Sequence, residues 1–134
     1  AEGRAVKLIH RLLRCLPLRD GSRGYRVVLL RRDLGEVLAS QRAMLVRWGA
    51  APPPPEQDAR LAGIFERELA QVEAWLAERP DIAWTRLEHR RLLEQPAAEA
   101  ERLVRFLALD LDATAMAACV EPGLYRQRSR PWTL

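Results

Sequence analysis

Between Tyr25 and Leu45 the chain places Arg31 and Arg32 at the end of an apolar run, an acid-and-glycine turn after them, and Ser40 eight residues beyond Arg32. A guanidinium fork, a hydroxyl and the free amides at the start of a helix are the groups that hold a phosphate dianion. Each charge-assisted bond of that kind contributes roughly 1.5–3 kcal/mol net. A strand buried in an open α/β fold delivers such arginines to the carboxyl edge of the sheet, where these folds bind ligands, and the next helix adds its N-terminal dipole. The segment is therefore a candidate phosphate clamp. By residue type alone it is also the pattern of a solvated arginine pair beside a helix cap.

The elements that would position these groups are legible in the spacing. Four consecutive aliphatic residues from Val27 to Leu30 predict a buried strand over residues 26–30. Asp33 with Glu36 forms a capping-box-like start, and Leu34, Val37, Leu38, Met44, Leu45 and Trp48 make one apolar stripe of the following helix. Gly49 ends that helix, and Pro52 to Pro55 stiffen a connector over residues 49–58. From about Glu56 to Arg79, Leu61, Ile64, Phe65, Leu69, Val72 and Leu76 recur at helical spacing before Pro80 stops the run.

Upstream, residues 5–9 read as a short strand and residues 10–16 as a short helix stopped by Pro17, with a turn over residues 19–24. Downstream, residues 82–87 read as a strand and residues 89–94 as one helical turn. Pro96 then opens a helix through Leu107, and Asp112 caps another to Val120. Residues 121–134 form a basic tail with Arg126, Arg128 and Arg130. Strands alternating with helices predict an α/β fold with a parallel sheet, here of about three strands with five or six helices.

The 134 residues are enough for one domain that buries a core of its own. Hydrophobic residues make up 49% and charged residues 30%, which excludes wholesale disorder. No apolar run approaches the ~20 residues of a membrane span. The first residues lack an initiator methionine and a signal-peptide pattern, so we expect a cytoplasmic chain cut from something longer. Cys15 and Cys119 sit on apolar stretches and read as two buried free thiols, and neither has metal-ligand partners nearby in sequence. Among the 22 basic residues Lys7 is the only lysine, and the net charge of +4 favours anionic ligands without requiring nucleic acid. A nucleic-acid binder would interleave aromatics with a basic stripe, whereas the four tryptophans are dispersed.

Residues 27–45 resemble the 3′-phosphate-binding segment of the sulfotransferases: an apolar strand, an arginine, a short acidic turn and a serine eight residues after that arginine. Arg32 and Ser40 match both positions. The run Arg31-Arg32-Asp33-Leu34 through Glu36-Val37-Leu38-Ala39-Ser40-Gln41 is similar to bacterial members, as are Ala5-Val6-Lys7-Leu8-Ile9 and Leu92-Leu93-Glu94-Gln95-Pro96. The resemblance covers residues 5–47 and, more loosely, 82–109. It implies a three-layer αβα, P-loop-like sulfotransferase fold and the donor 3′-phosphoadenosine 5′-phosphosulfate (PAPS), or its product adenosine 3′,5′-bisphosphate (PAP), with Arg32 and Ser40 gripping the 3′-phosphate.

Where the family carries a tyrosine near the adenine and an acid beside it, this chain has His89 and Arg91, and a histidine can stack on a base. Lys7 lies at a position often basic in the family, and His10 lies near where a catalytic base can occur. Tyr125 to Arg128 are similar to the closing segment of bacterial relatives, which makes Arg128 a further candidate phosphate ligand. The family's Gly-rich phosphosulfate loop has no counterpart here, since Gly21-Ser22-Arg23-Gly24 lacks a following apolar helix. Binding a phosphosulfate in readiness for transfer needs such amides and a cation.

Two readings follow from the resemblance. The chain is the cofactor-binding part of an enzyme moving a sulfuryl group to a hydroxyl or amine, incomplete at its N-terminus and inactive alone; or it is a nucleotide-binding or interaction module that has lost the chemistry. A sheet missing its upstream strands would expose an edge, which predicts self-association there.

Overall fold

The two apolar runs expected as strands form β1 (Tyr25–Arg31) and β2 (Ile82–Glu88), paired in parallel from Tyr25 opposite Ile82 to Arg31 opposite Glu88. The computed structural model describes residues 5–17, 24–121 and 123. Between the strands run α1 (Leu34–Arg47) and α2 (Asp58–Glu78), and after them α3 (His89–Glu94), α4 (Pro96–Leu107) and α5 (Ala113–Ala118). Short 3-10 helices occupy His10–Cys15 and Pro55–Gln57. The protein is thus α/β with a parallel sheet and, among the described residues, two strands in that sheet rather than three.

Strand alternation sorts the sheet into two faces. Tyr25, Val27 and Leu29 of β1, with Ile82 and Trp84 of β2, pack against Val72 and Leu76 of α2 and against Leu13 of the first 3-10 helix. On the opposite face Arg102 of α4 donates to Thr85 Oγ1 and to the Arg86 carbonyl, both at 2.8 Å, and Arg26 donates to the Phe106 carbonyl. Helices therefore flank both faces, although Leu30 of β1, on the α4 side, stays 52% exposed. Glu99, 2% exposed, is held between Arg102 and Arg91, which ties α4 to α3 without leaving a buried charge unpaired.

The amino ends of the strands are closed by backbone contact. The amide of Tyr25 donates to the Asp81 carbonyl at 2.8 Å, and a Cβ on Gly24 would sit 2.6 Å from that same oxygen, so only glycine fits there. Arg79 grips the Asp81 carboxylate with two bonds of 2.7 Å, lies over the Trp75 ring and reaches the carbonyls of Leu16 and Pro17. One side chain thereby joins the end of α2, the start of β2 and the end of the first 3-10 helix.

Three expectations change. Residues 5–9 are not a strand, and Val6 and Ile9 are 74% and 64% exposed. The helix that follows them buries Leu13 on the α2 face, which carries the chain over the sheet rather than along its edge. The α1 stripe is split: Leu38 is buried while Trp48, just past the helix end, is 74% exposed, where Gly49, at φ +73°, turns the chain away. Cys15 and Cys119 are free but exposed: the first 3-10 helix turns Leu13 rather than Cys15 to the core, and α5, which Cys119 follows, buries no residue.

Leu76 is 1% exposed at the centre of the core. Leu76→Ala is expected to lower unfolding free energy by about 2–5 kcal/mol in a denaturant titration, the cost of lost transfer energy plus a residual cavity.

Candidate functional site

Parallel pairing has a direct consequence for the phosphate segment. Arg31 stands opposite Glu88, so the next residues, Arg32 and His89, leave neighbouring strands at the same carboxyl edge. Adjacent strands lie about 4.8 Å apart, which brings the two residues to one locality. His89 feels it: burial, and then the positive charge of Arg32, hold its imidazole below its ordinary pKa, with Glu36 opposing. Both effects favour the uncharged ring.

Arg31 and Arg32 do not act as a pair. Neighbouring strand residues point to opposite faces, and Arg31 is turned onto α2, where it meets Glu66 at 2.6 Å and Glu73 at 3.5 Å. Glu73 also takes Arg86, with bonds of 3.1 and 2.6 Å. This network matches the arginines of that sheet face with acids of α2, so Arg32 rather than Arg31 belongs to the edge.

Asp33 caps α1 by accepting from the Glu36 amide at 3.0 Å, as the spacing predicts. The Glu36 side chain, expected only as the other half of a capping box, does more. Its carboxylate accepts from Arg32 Nε at 3.2 Å while being 4% exposed, so it holds the guanidinium in place at the start of the helix. The signal was present in the sequence as an i, i+4 spacing from Arg32. Ser40, half-buried, lies one further turn along the same face as Glu36. The edge thus gathers Arg32, Asp33, Glu36 and His89, with Ser40 one turn further along α1.

The other expected site residues lie elsewhere. His10 is on the first 3-10 helix, its Nε2 3.1 Å from Glu68 Oε2, and Arg11 grips the same carboxylate. Together with Arg14, Gln71 and Val72 they line an open cleft of about 160 Å³. Glu68 and Glu66 are two residues apart on α2 and so about 200° apart around its axis, which puts the His10 contact away from the one that Glu66 makes with β1. Glu68 has no local sequence signal, being 58 positions from its histidine. Lys7 is exposed, outside any strand or helix. Arg128 lies outside the described residues. Among the described residues no group of three or more His, Cys, Asp or Glu could hold a metal ion, and no helix is long and apolar enough to cross a membrane.

The Arg11 hydrogen bond, then that of His10, holds the Glu68 carboxyl down to about 2 from its ordinary 4.5. A depressed acid stabilises the fold above its unfolded pKa and loses that contribution as pH falls toward its folded one. The melting-temperature gap between the wild type and Glu68→Gln should be widest above pH ~5 and close as pH approaches 2. Scans of the chain against protein-family models, curated proteins and solved structures return no match.

Proposed function

We propose that this chain binds the 3′-phosphate of an adenosine nucleotide as the cofactor-binding part of a PAPS-dependent sulfotransferase, the enzyme class that moves a sulfuryl group to a hydroxyl or amine. Arg32 supplies the guanidinium and Ser40 the hydroxyl. The observation that carries the reading is the shared carboxyl edge. Arg32 and His89 leave adjacent parallel strands there, and Ser40 is on the helix that Asp33 caps directly after Arg32. Ligands of open α/β sheets sit outside the carboxyl ends of their strands, for the same reason that the helix N-termini point there.

Glu36 serves this role by preorganisation. A guanidinium already fixed by a buried carboxylate loses little rotamer freedom when an anion arrives, which lowers the entropic cost of binding. Transfer itself needs amides and a cation around the 5′-phosphosulfate, so this chain contributes nucleotide recognition.

The test is thermal unfolding with PAP and with adenosine 5′-monophosphate. PAP at about 100 times its dissociation constant should add roughly 2.7 kcal/mol of stability, and the monophosphate, lacking the 3′-phosphate, far less. Arg32→Ala and Ser40→Ala should each remove most of the PAP effect. Equal shifts with the two nucleotides, or none, would sink the reading.

A further inference from the structure

Independently of the nucleotide reading, we propose that the chain associates head to tail with a second copy of itself: an apolar and basic stripe on residues 5–17 of one copy receives the apolar and acidic corner that follows α4 of the other. The stripe follows from the geometry of a 3-10 helix. With three residues per turn, side chains three apart stack on one side. His10, Leu13 and Leu16 share the side that meets α2 and the core. Ile9, Leu12 and Cys15 share a second side and are exposed, and Arg11 and Arg14, also exposed, share the third. Val6 and Leu8 extend the apolar surface upstream, which puts four exposed large apolar side chains within seven residues. A concentration of that kind rimmed by charge marks an interaction surface.

The stripe is fixed before any partner arrives. Glu68 holds its middle through His10 and Arg11, and Arg79 holds its end through the Leu16 and Pro17 carbonyls. A surface already ordered loses little freedom on binding. Its charge is basic: Lys7, Arg11 and Arg14 stand against Glu68, and both arginines line the cleft beside it.

The surface that fits is apolar with an acidic rim, and the corner after α4 has that composition. Ala108, at φ 49°, turns the chain out of the helix. Leu109 and Leu111 beyond it are exposed, as are Asp110 and Asp112. The cations at this corner are Arg26, whose guanidinium meets the Phe106 carbonyl, and Arg105, which lies 3.8 Å from Glu101. Glu101, Asp110 and Asp112 outnumber those two, and the carbonyl end of α4 adds partial negative charge. The stripe lies on the α2 face of the sheet and the corner follows the helix on the opposite face, so one chain cannot bring them together. Two copies can. The contact is heterologous, which leaves a free stripe at one end of the pair and a free corner at the other, and its few apolar side chains make it of the weak, transient class.

The experiment is sedimentation equilibrium of the whole chain over a wide range of concentration. The wild-type average mass should rise with concentration without levelling at the dimer. Raising salt from about 0.1 M to about 1 M shortens the screening length from about 10 Å to about 3 Å and should weaken the association severalfold. Ile9→Ser with Arg14→Glu disables the stripe, and Leu109→Ser with Asp110→Asn disables the corner; all four side chains are exposed, so both variants should melt as the wild type does. Each variant alone should sediment as a monomer. Their mixture should form a one-to-one dimer and nothing larger, because it retains one intact stripe and one intact corner. NMR of the wild type, which needs no variant to fold, should show the amide signals of residues 6–14 and 109–112 shifting with concentration while those of β1 and β2 stay. A wild type that remains monomeric, variants that associate as the wild type does, or a mixture without the dimer overturns the proposal. Shifts confined to β1 or β2 overturn it equally and assign the association to the strand edges.

Discussion

The parallel pairing of β1 with β2 is the constraint on which the rest of the structure depends. Parallel strands cannot be joined by a tight turn, so the chain between Arg31 and Ile82 must travel back along the sheet, and α1, the proline connector and α2 make that journey. The same pairing puts the ends of both strands on one edge. Arg32 and His89, separated by more than fifty positions in the chain, become neighbours because Arg31 and Glu88 are register partners. Shifting one strand by a residue would turn Leu29 out of the core and Arg31 away from its acids.

Electrostatics follows the same geometry. On the α2 face two arginines of the sheet, Arg31 and Arg86, meet Glu73, and Glu66 adds to the network. On the α4 face the buried carboxylate of Glu99 is enclosed by Arg91 and Arg102. Charges are tolerated inside only when paired and hydrogen-bonded. The pairs of Arg31 and Arg86 also fasten the sheet to α2, and that of Arg91 joins α3 to α4. At the carboxyl edge the pairing of Arg32 with Glu36 is instead confined to the turn and first helical turn. It secures a guanidinium at the edge of the sheet rather than joining two layers.

Much of this was readable in the chain. The aliphatic run at Val27 to Leu30, the Asp33 cap, the Pro80 stop and the Pro96 start are local signals, and each element they predict is found within a residue or two of its expected bounds. What misled was equally local. Residues 5–9 have strand-like composition, but a strand needs a partner, and the chain there leads onto a sheet face through Leu13. The cysteines lie on apolar stretches, yet the helix of Cys15 buries Leu13 instead and the one before Cys119 buries nothing.

The sequence by itself determined the elements and the Arg32-to-Ser40 spacing, because capping, periodicity and chain breaking act over a few residues. Tertiary structure alone decided the company those residues keep. It turned Arg31 onto α2, joined His10 to Glu68 at an open cleft between the first 3-10 helix and α2, and brought His89 to Arg32. Such meetings depend on strand register and helix packing, which couple residues tens of positions apart, and no local pattern encodes them.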